Sequence, residues 1–155
     1  LGDKINIVVP TGNFGNILAG FYAKKMGLPV NKLICASNAN NVLTDFLTSG
    51  TYDKNRAFYC TTSPSMDILI SSNLERLLYI LCGRNSDTIN DWFGKLKEEG
   101  KYTISDDVKA QVKDLFFAGC CDDTATAETI SATEITSEII TDSTCLIGKI
   151  LIFVI

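Results

Sequence analysis

Residues 5–27, INIVVPTGNFGNILAGFYAKKMG, run from a β-branched stretch through a glycine-bracketed turn directly into a helical pattern. Such a succession restricts the chain to folds in which a buried strand feeds a packed helix. Ile5, Ile7, Val8 and Val9 form the strand, and Pro10 closes it. Gly12 and Gly15 permit a backbone path that side chains would block. Ile17, Leu18, Phe21, Tyr22 and Met26 then recur at helical spacing as the expected buried set, and Gly27 with Pro29 stops the helix. The N–H groups at such a helix start, with the positive end of the dipole, favour an anion. The turn has neither the GxGxxG fingerprint nor a Gly-Lys-Ser/Thr, which makes a nucleotide a poor first guess. An ordinary tight connection, with Asn13 and Asn16 as turn and cap residues, also accounts for the string.

The strand-then-helix order recurs. Lys32 to Ala36 reads as a second buried strand, and Asn40 to Thr48 as a short helix ended by Gly50. This alternation predicts a parallel sheet, whose ligands lie beyond the carboxyl ends of the strands. Both the Thr11 to Asn16 turn and the Ser37 to Asn41 turn fall there. Ser37, Asn38 and Asn40 either line a pocket or simply make a turn by bonding their own backbone. Further on, the polar loop TTSPSMD at 61–67 leads into a helix expected over Ile68 to Cys82, with Leu69, Leu74, Leu77, Leu78 and Leu81 buried. Ser63, Ser65 and Asp67 have the donors and the acceptor to touch a substrate phosphate or amino group. Ser65 as a cap and Asp67 as a helix-start residue explain the same string. Arg76, following Glu75, reads as a solvent-facing helix charge, although an arginine beside an anion pocket would grip a phosphate.

Beyond Gly83, Ser86 or Asp87 caps a helix through Trp92, Phe93 and Leu96 to Glu99, which Gly100 ends. Ser105 caps another through Val108, Val112, Leu115 and Phe116, with Asp106 and Asp107 in its first turn. Asp122 and Asp123 read as one more helix start rather than metal ligands, leading into a helix over 124–140.

Composition bounds the function classes. The 155 residues, 46% hydrophobic, suit one domain with a core of useful size. Fourteen basic against 18 acidic residues provide no basic stripe for a nucleic-acid backbone. Six cysteines without CxxC spacing, in a chain with no histidine, offer no metal site and read as reduced thiols. Cys35 and Cys82, in apolar runs, read as small core residues. No secretory signal is visible. Leu146 to Ile155, interrupted by Lys149, is too short to span a bilayer, and such an apolar tail favours self-association if exposed.

Val9-Pro10-Thr11-Gly12-Asn13-Phe14-Gly15-Asn16 resembles the phosphate loop of the threonine synthase family, pyridoxal 5'-phosphate (PLP) enzymes of the tryptophan-synthase β-like, fold-type II group. KLICASNANNVLTDF at 32–46, TTSPSMDILI at 61–70 and SSNLERLL at 71–78 resemble the same family in the same order, and the likeness extends over about residues 3–130. The resemblance implies an α/β fold of three layers, a largely parallel sheet flanked by helices, with residues 1–140 forming part of a PLP-binding large domain and 141–155 an apolar tail. It implies that Gly12, Asn13, Phe14 and Gly15 hold the PLP phosphate, with Asn16 flanking them. Phe14 is expected to pack the loop onto the sheet or the cofactor edge. The reaction implied is conversion of O-phospho-L-homoserine and water to L-threonine and phosphate, in the cytoplasm, with no nucleic-acid or membrane partner.

The family's Schiff-base lysine lies well upstream of this loop, whereas four residues precede Ile5 here. Lys4 stands at the strand entry and Lys24 and Lys25 on the solvated face of the helix, so no catalytic residue is expected in this chain. The family's histidine-containing segment beyond the matched region has no counterpart in 141–155, where Thr141, Asp142 and Thr144 are at most a remnant. Two readings therefore stand: a threonine synthase segment that supplies the phosphate loop without the lysine, or a non-catalytic anion-binding or interaction domain that keeps only the scaffold.

Overall fold

The computed structural model describes residues 3–132. The tail expected at 141–155 and the end of the helix expected over 124–140 lie outside them. In chain order the elements are β1 (Ile5–Pro10), α1 (Gly15–Lys25), β2 (Val30–Ser37), α2 (Val42–Ser49) and β3 (Thr51–Asp53). A single 3-10 turn, Pro64–Met66, then precedes α3 (Leu74–Leu81), α4 (Ser86–Glu98), β4 (Lys101–Thr103), α5 (Asp106–Leu115), β5 (Phe116–Cys120) and α6 (Asp123–Ala132).

The fold is α/β, with a parallel sheet in the order β1-β2-β5. Pro10 pairs with Ala36 at the carboxyl end of β1, and Ser37 with Cys120 at that of β2, so the turns after both strands emerge at one edge. The central strand is the driest: Leu33, Cys35 and Ala36 have no exposed surface, as expected of a strand covered on both faces. Its core partners include Ile17 and Phe21 of α1, Phe46 of α2, Leu77 and Leu78 of α3 and Val112 of α5. Gly20 lets α1 approach the sheet, because a Cβ there would stand 2.9 Å from Leu33 Cδ2.

Several expectations change. Tyr22 and Met26 do not join the core of α1; Met26, at the C-cap, is 87% exposed, and the buried stripe is Ile17, Leu18 and Phe21. No helix runs from Ile68: α3 begins only at Leu74, because the preceding backbone is engaged elsewhere. The Tyr52 hydroxyl donates to Leu69 O at 3.0 Å and accepts the Ser71 N–H at 2.9 Å, while Asn73 N–H donates to Asn13 O at 3.2 Å. Leu69 accordingly stays half-buried. The helix expected to run through Phe116 ends at Leu115, and Phe116–Cys120 becomes the third parallel strand. Asn85, not Ser86 or Asp87, caps α4, its Oδ1 accepting the Asp87 and Thr88 N–H groups. Asp122 does open α6, accepting the Ala125 N–H at 2.8 Å.

An antiparallel ribbon of β3 and β4, absent from the sequence reading, completes the core. Tyr52 and Tyr102 lie opposite each other on it and stack at 5.6 Å with rings 2° from parallel, and Phe46, Trp92 and Phe93 close around Tyr102.

Candidate phosphate-binding site

The turn after β1 opens onto a concavity at the strand ends. Residues Val9 to Ile17, with Ser65 and Met66 opposite, line a cleft of about 360 Å³. None of these residues carries a formal charge, so any anion held here is held by backbone and dipole rather than by ion pairs.

The local sequence makes a helix start without a side-chain cap. Phe14 is the N-cap in the left-handed conformation, φ 63°, and no side chain bonds into the first turn. Neither Asn13 nor Asn16, both exposed, fills the capping role allowed for them above. The first helical bond runs from Leu18 N–H to Phe14 O at 3.1 Å, which leaves the N–H groups of Gly15, Asn16 and Ile17 with no acceptor one turn back. Acidic residues are missing from this turn, while Lys24 and Lys25 occupy the last turn, so the dipole is balanced at its negative end and open at its positive one.

The residue that bends the loop was not legible. Gly12 and Gly15 lack the positive φ that glycine alone adopts freely; Phe14 takes it instead. Its ring is 1% exposed and meets Phe116 of β5 at 5.7 Å, so it packs the loop onto the sheet, and burial holds the strained backbone in place. Gly12 matters for another reason: a Cβ there would stand 3.1 Å from the Ser65 carbonyl oxygen across the cleft, a tight contact that pushes on the facing backbone. At Gly15 a Cβ would meet only Asn73 Nδ2, at an ordinary 3.6 Å.

The loop carbonyls are tied from behind. Ser71 Oγ donates to Gly12 O at 3.1 Å, and Asn73 Nδ2 donates to Asn13 O at 2.8 Å. Thr11 N–H donates to Ala36 O at 2.8 Å and carries the sheet register into the turn. Beneath it the Cys35 thiol is pushed up to about 11 by burial, against the weaker opposite effect of hydrogen bonds with Thr11 and Ser37, and stays a neutral core group.

The three polar residues expected on the substrate side separate. Ser65 lines the cleft, Ser63 is buried outside its lining, and Asp67 turns away into a network with Asn38, Asn40 and Thr61. Asp67 is not at a helix start, nor does Ser65 cap one; both belong to the 3-10 turn and its exit. Asn38 makes the expected turn, its Oδ1 accepting the Asn40 N–H at 2.9 Å. Arg76 lies outside the cleft, on an outer groove with Tyr79 and Arg84. Among the described residues no lysine lines the cleft; Lys24 Nζ donates instead to Val30 O and Asn31 O at 2.7 and 2.9 Å, at the far end of α1.

Known proteins resemble the chain in sequence and in fold. "Threonine synthase-like 1" of Homo sapiens is 40% identical over 150 residues, which are 96% of this chain and 20% of that protein. A solved structure of PLP-bound threonine synthase from Brucella melitensis superposes with a TM-score of 0.85 at 40% identity, over 96% of this chain and 32% of that one. Over this stretch the chain is similar to the threonine synthases. The yeast threonine synthase structure matches more closely in shape, TM-score 0.89 at 37% identity, again over 32% of its length. No family model matches the chain. The chain thus spans about a fifth to a third of the length of these relatives, and its α/β fold matches part of the fold-type II architecture of the threonine synthase structures.

The residues present fit a phosphate ester. The helix-start N–H groups line a cleft without acidic groups, and the space at Gly12 that a Cβ would fill faces the opposite wall. Among the described residues, no three His, Cys, Asp or Glu side chains gather as metal ligands, and no helix is long and apolar enough to cross a membrane.

Proposed function

We propose that Gly12 to Asn16 cradle the phosphate of PLP in a threonine synthase, which converts O-phospho-L-homoserine and water to L-threonine and phosphate. The uncapped start of α1 on the cleft carries this reading, supported by the PLP-bound relative. Gly15, Asn16 and Ile17 offer N–H donors, and charge-assisted bonds to a phosphate are roughly twice as strong as neutral ones. Gly12 keeps the cleft open, Phe14 fixes the turn from the core, and Ser65 forms the facing wall. When bound, PLP supplies the electron sink that elimination and replacement on the amino-acid substrate require.

A second reading concerns the chain taken by itself. With no lysine on the cleft among the described residues, it binds the phosphate and performs no chemistry, as an anion-binding scaffold would. In either role we place it in the cytoplasm with its thiols reduced. Self-association through 146–155 belongs to the same proposal, with sedimentation of chains ending before and after that tract as its test.

Titration of the purified chain with PLP, followed by competition with inorganic phosphate, tests the cradle. Competable binding is expected, weakened about tenfold or more by Gly12→Val, which places branched carbons against the Ser65 carbonyl. Unchanged binding in that variant would sink the assignment. Borohydride treatment of the PLP complex is expected to leave no cofactor on a lysine; a trapped lysyl adduct would contradict the scaffold reading.

A further inference from the structure

The Asp67 carboxylate accepts hydrogen bonds on Oδ1 from Asn38 Nδ2 at 2.7 Å, Asn40 Nδ2 at 2.8 Å and Thr61 Oγ1 at 2.8 Å, and on Oδ2 from the Thr61 N–H at 2.9 Å. Three of these donors converge on Oδ1 and one on Oδ2, so the charge is held chiefly by the protein through Oδ1. Its donors are rigid. Asn38 and Asn40 are buried directly after β2, and Asn40 is itself held by Tyr59, donating to the Tyr59 carbonyl at 2.8 Å and accepting its N–H at 3.0 Å.

The same carboxylate stands one residue beyond the cleft wall. Asp67 N–H donates to Pro64 O and Met66 N–H to Ser63 O, at 3.1 and 3.0 Å, so the 3-10 turn moves with Asp67 as a unit. Met66, 2% exposed, packs with Ala36 at the end of the central strand. Ser65 then presents its carbonyl 3.1 Å from where a Gly12 Cβ would be. The sheet end therefore reaches the far wall of the cleft through Asn38, Asn40 and Asp67.

We propose that Asp67 is a positioning residue: it fixes the width of the phosphate cleft by clamping the Ser65–Met66 wall to the end of β2, and it makes no contact with substrate. This rests on the cradle reading and deepens it. A clamped wall matches one phosphate group and disfavours a longer anion. Asp67→Asn keeps one oxygen for the Oδ1 donors but loses the charge and turns an NH2 toward the Thr61 N–H, so it loosens the wall.

The test uses the full chain, inorganic phosphate and pyrophosphate as calorimetric probes, and amide resonances of Gly12, Ser65 and Met66. Asp67→Asn is expected to weaken phosphate about tenfold, to weaken pyrophosphate less, and to shift those three resonances before any ligand is added. Phosphate affinity, probe ratio and resonances all unchanged in a folded variant would overturn the clamp and leave the cradle standing. Absence of phosphate binding in the unaltered chain would overturn both. If Asp67→Asn does not fold, Thr61→Val, which removes the hydroxyl's bond to Asp67 together with those it accepts from Asn38 Nδ2 and the Ser63 N–H but keeps the Thr61 N–H on Oδ2, is read in the same way with an expected weakening of about threefold or more.

Discussion

Ser71 donates its hydroxyl to the carbonyl oxygen of Gly12 at 3.1 Å, and its own N–H is held by the Tyr52 hydroxyl at 2.9 Å. One serine thereby connects the aromatic stack behind the sheet to the turn that lines the cleft. The Tyr52 hydroxyl completes the connection by donating to Leu69 O at 3.0 Å. Burial pushes the Tyr52 phenol up to about 12, against the opposing effects of the Ser71 bond and Arg56, so it remains a neutral donor across the physiological range.

Removing the two ends of this link has unequal cost. Ser71→Ala deletes one bond and lowers stability by about 1 kcal/mol, whereas Tyr52→Phe strands the Ser71 N–H and the Leu69 carbonyl and costs about 1–3 kcal/mol. Urea unfolding of the two variants checks the order; equal losses would show that the phenol does not organise the segment.

Its stacking partner behaves oppositely. The Tyr102 hydroxyl is buried with no hydrogen-bond partner among the described residues, and burial raises its pKa strongly. Tyr102→Phe removes an unsatisfied group while keeping the stack, and leaves stability unchanged or raises it by up to about 1–3 kcal/mol. A fall of the thermal midpoint in this variant would contradict that account.

Phe14 serves the loop through packing. Phe14→Ala empties the contact with Phe116 and costs about 3–5 kcal/mol, and the residual folded population binds phosphate weakly because the left-handed turn loses its support. Denaturant titration with and without phosphate separates the two effects. Retention of full stability would show that the ring is not the anchor.

The thiols divide by burial. Cys60 and Cys120 are exposed, whereas Cys35 is buried with its thiol at about 11. At pH 8 a colorimetric thiol reagent is expected to modify Cys60 and Cys120 promptly and Cys35 only on unfolding. Peptide mapping of the modified chain reads this directly, and early labelling of Cys35 would mean that the sheet end opens.

Acid dissolves the Asp67 network. Burial opposes its charge, but the bonds from Thr61, Asn38 and Asn40 outweigh burial and hold the carboxyl below the usual carboxylate range. Because the folded value lies below the unfolded one, the stabilisation is fully present above the unfolded value near ~3.9 and is lost as pH falls through the folded one. Unfolding free energy followed from pH 6 downward should therefore fall less steeply in Asp67→Asn. Parallel curves would remove Asp67 from the acid response.

The first strand, turn and helix could be read from residues 5–27 because the signals there are local: β-branched residues, then glycine and asparagine, then helical spacing. The same holds for β2 and for Gly50 as a left-handed stop, φ 82°. What stayed hidden was decided by distant partners. Phe116 to Cys120 continue the apolar spacing of α5 and become a strand only because β2 offers an open edge. Ile68 to Asn73 look helical, yet Tyr52, Gly12 and Asn13 claim that stretch. In the site, the string Gly-Asn-Phe-Gly-Asn located the loop, while the roles inside it were not legible. Phe14, not a glycine, takes the unusual backbone angle, and Asp67 faces the protein.

In the proposed cradle, the bonds that tether the Gly12 and Asn13 carbonyls also set the entropy of phosphate binding. Fixing a backbone residue costs about 1–2 kcal/mol, and in this loop folding has already met that cost through Ser71, Asn73 and the buried ring of Phe14. An arriving phosphate gives up its hydration shell and its own freedom but has little chain left to order. Association should accordingly be fast, with a small heat-capacity change that reflects the few apolar atoms the cleft covers.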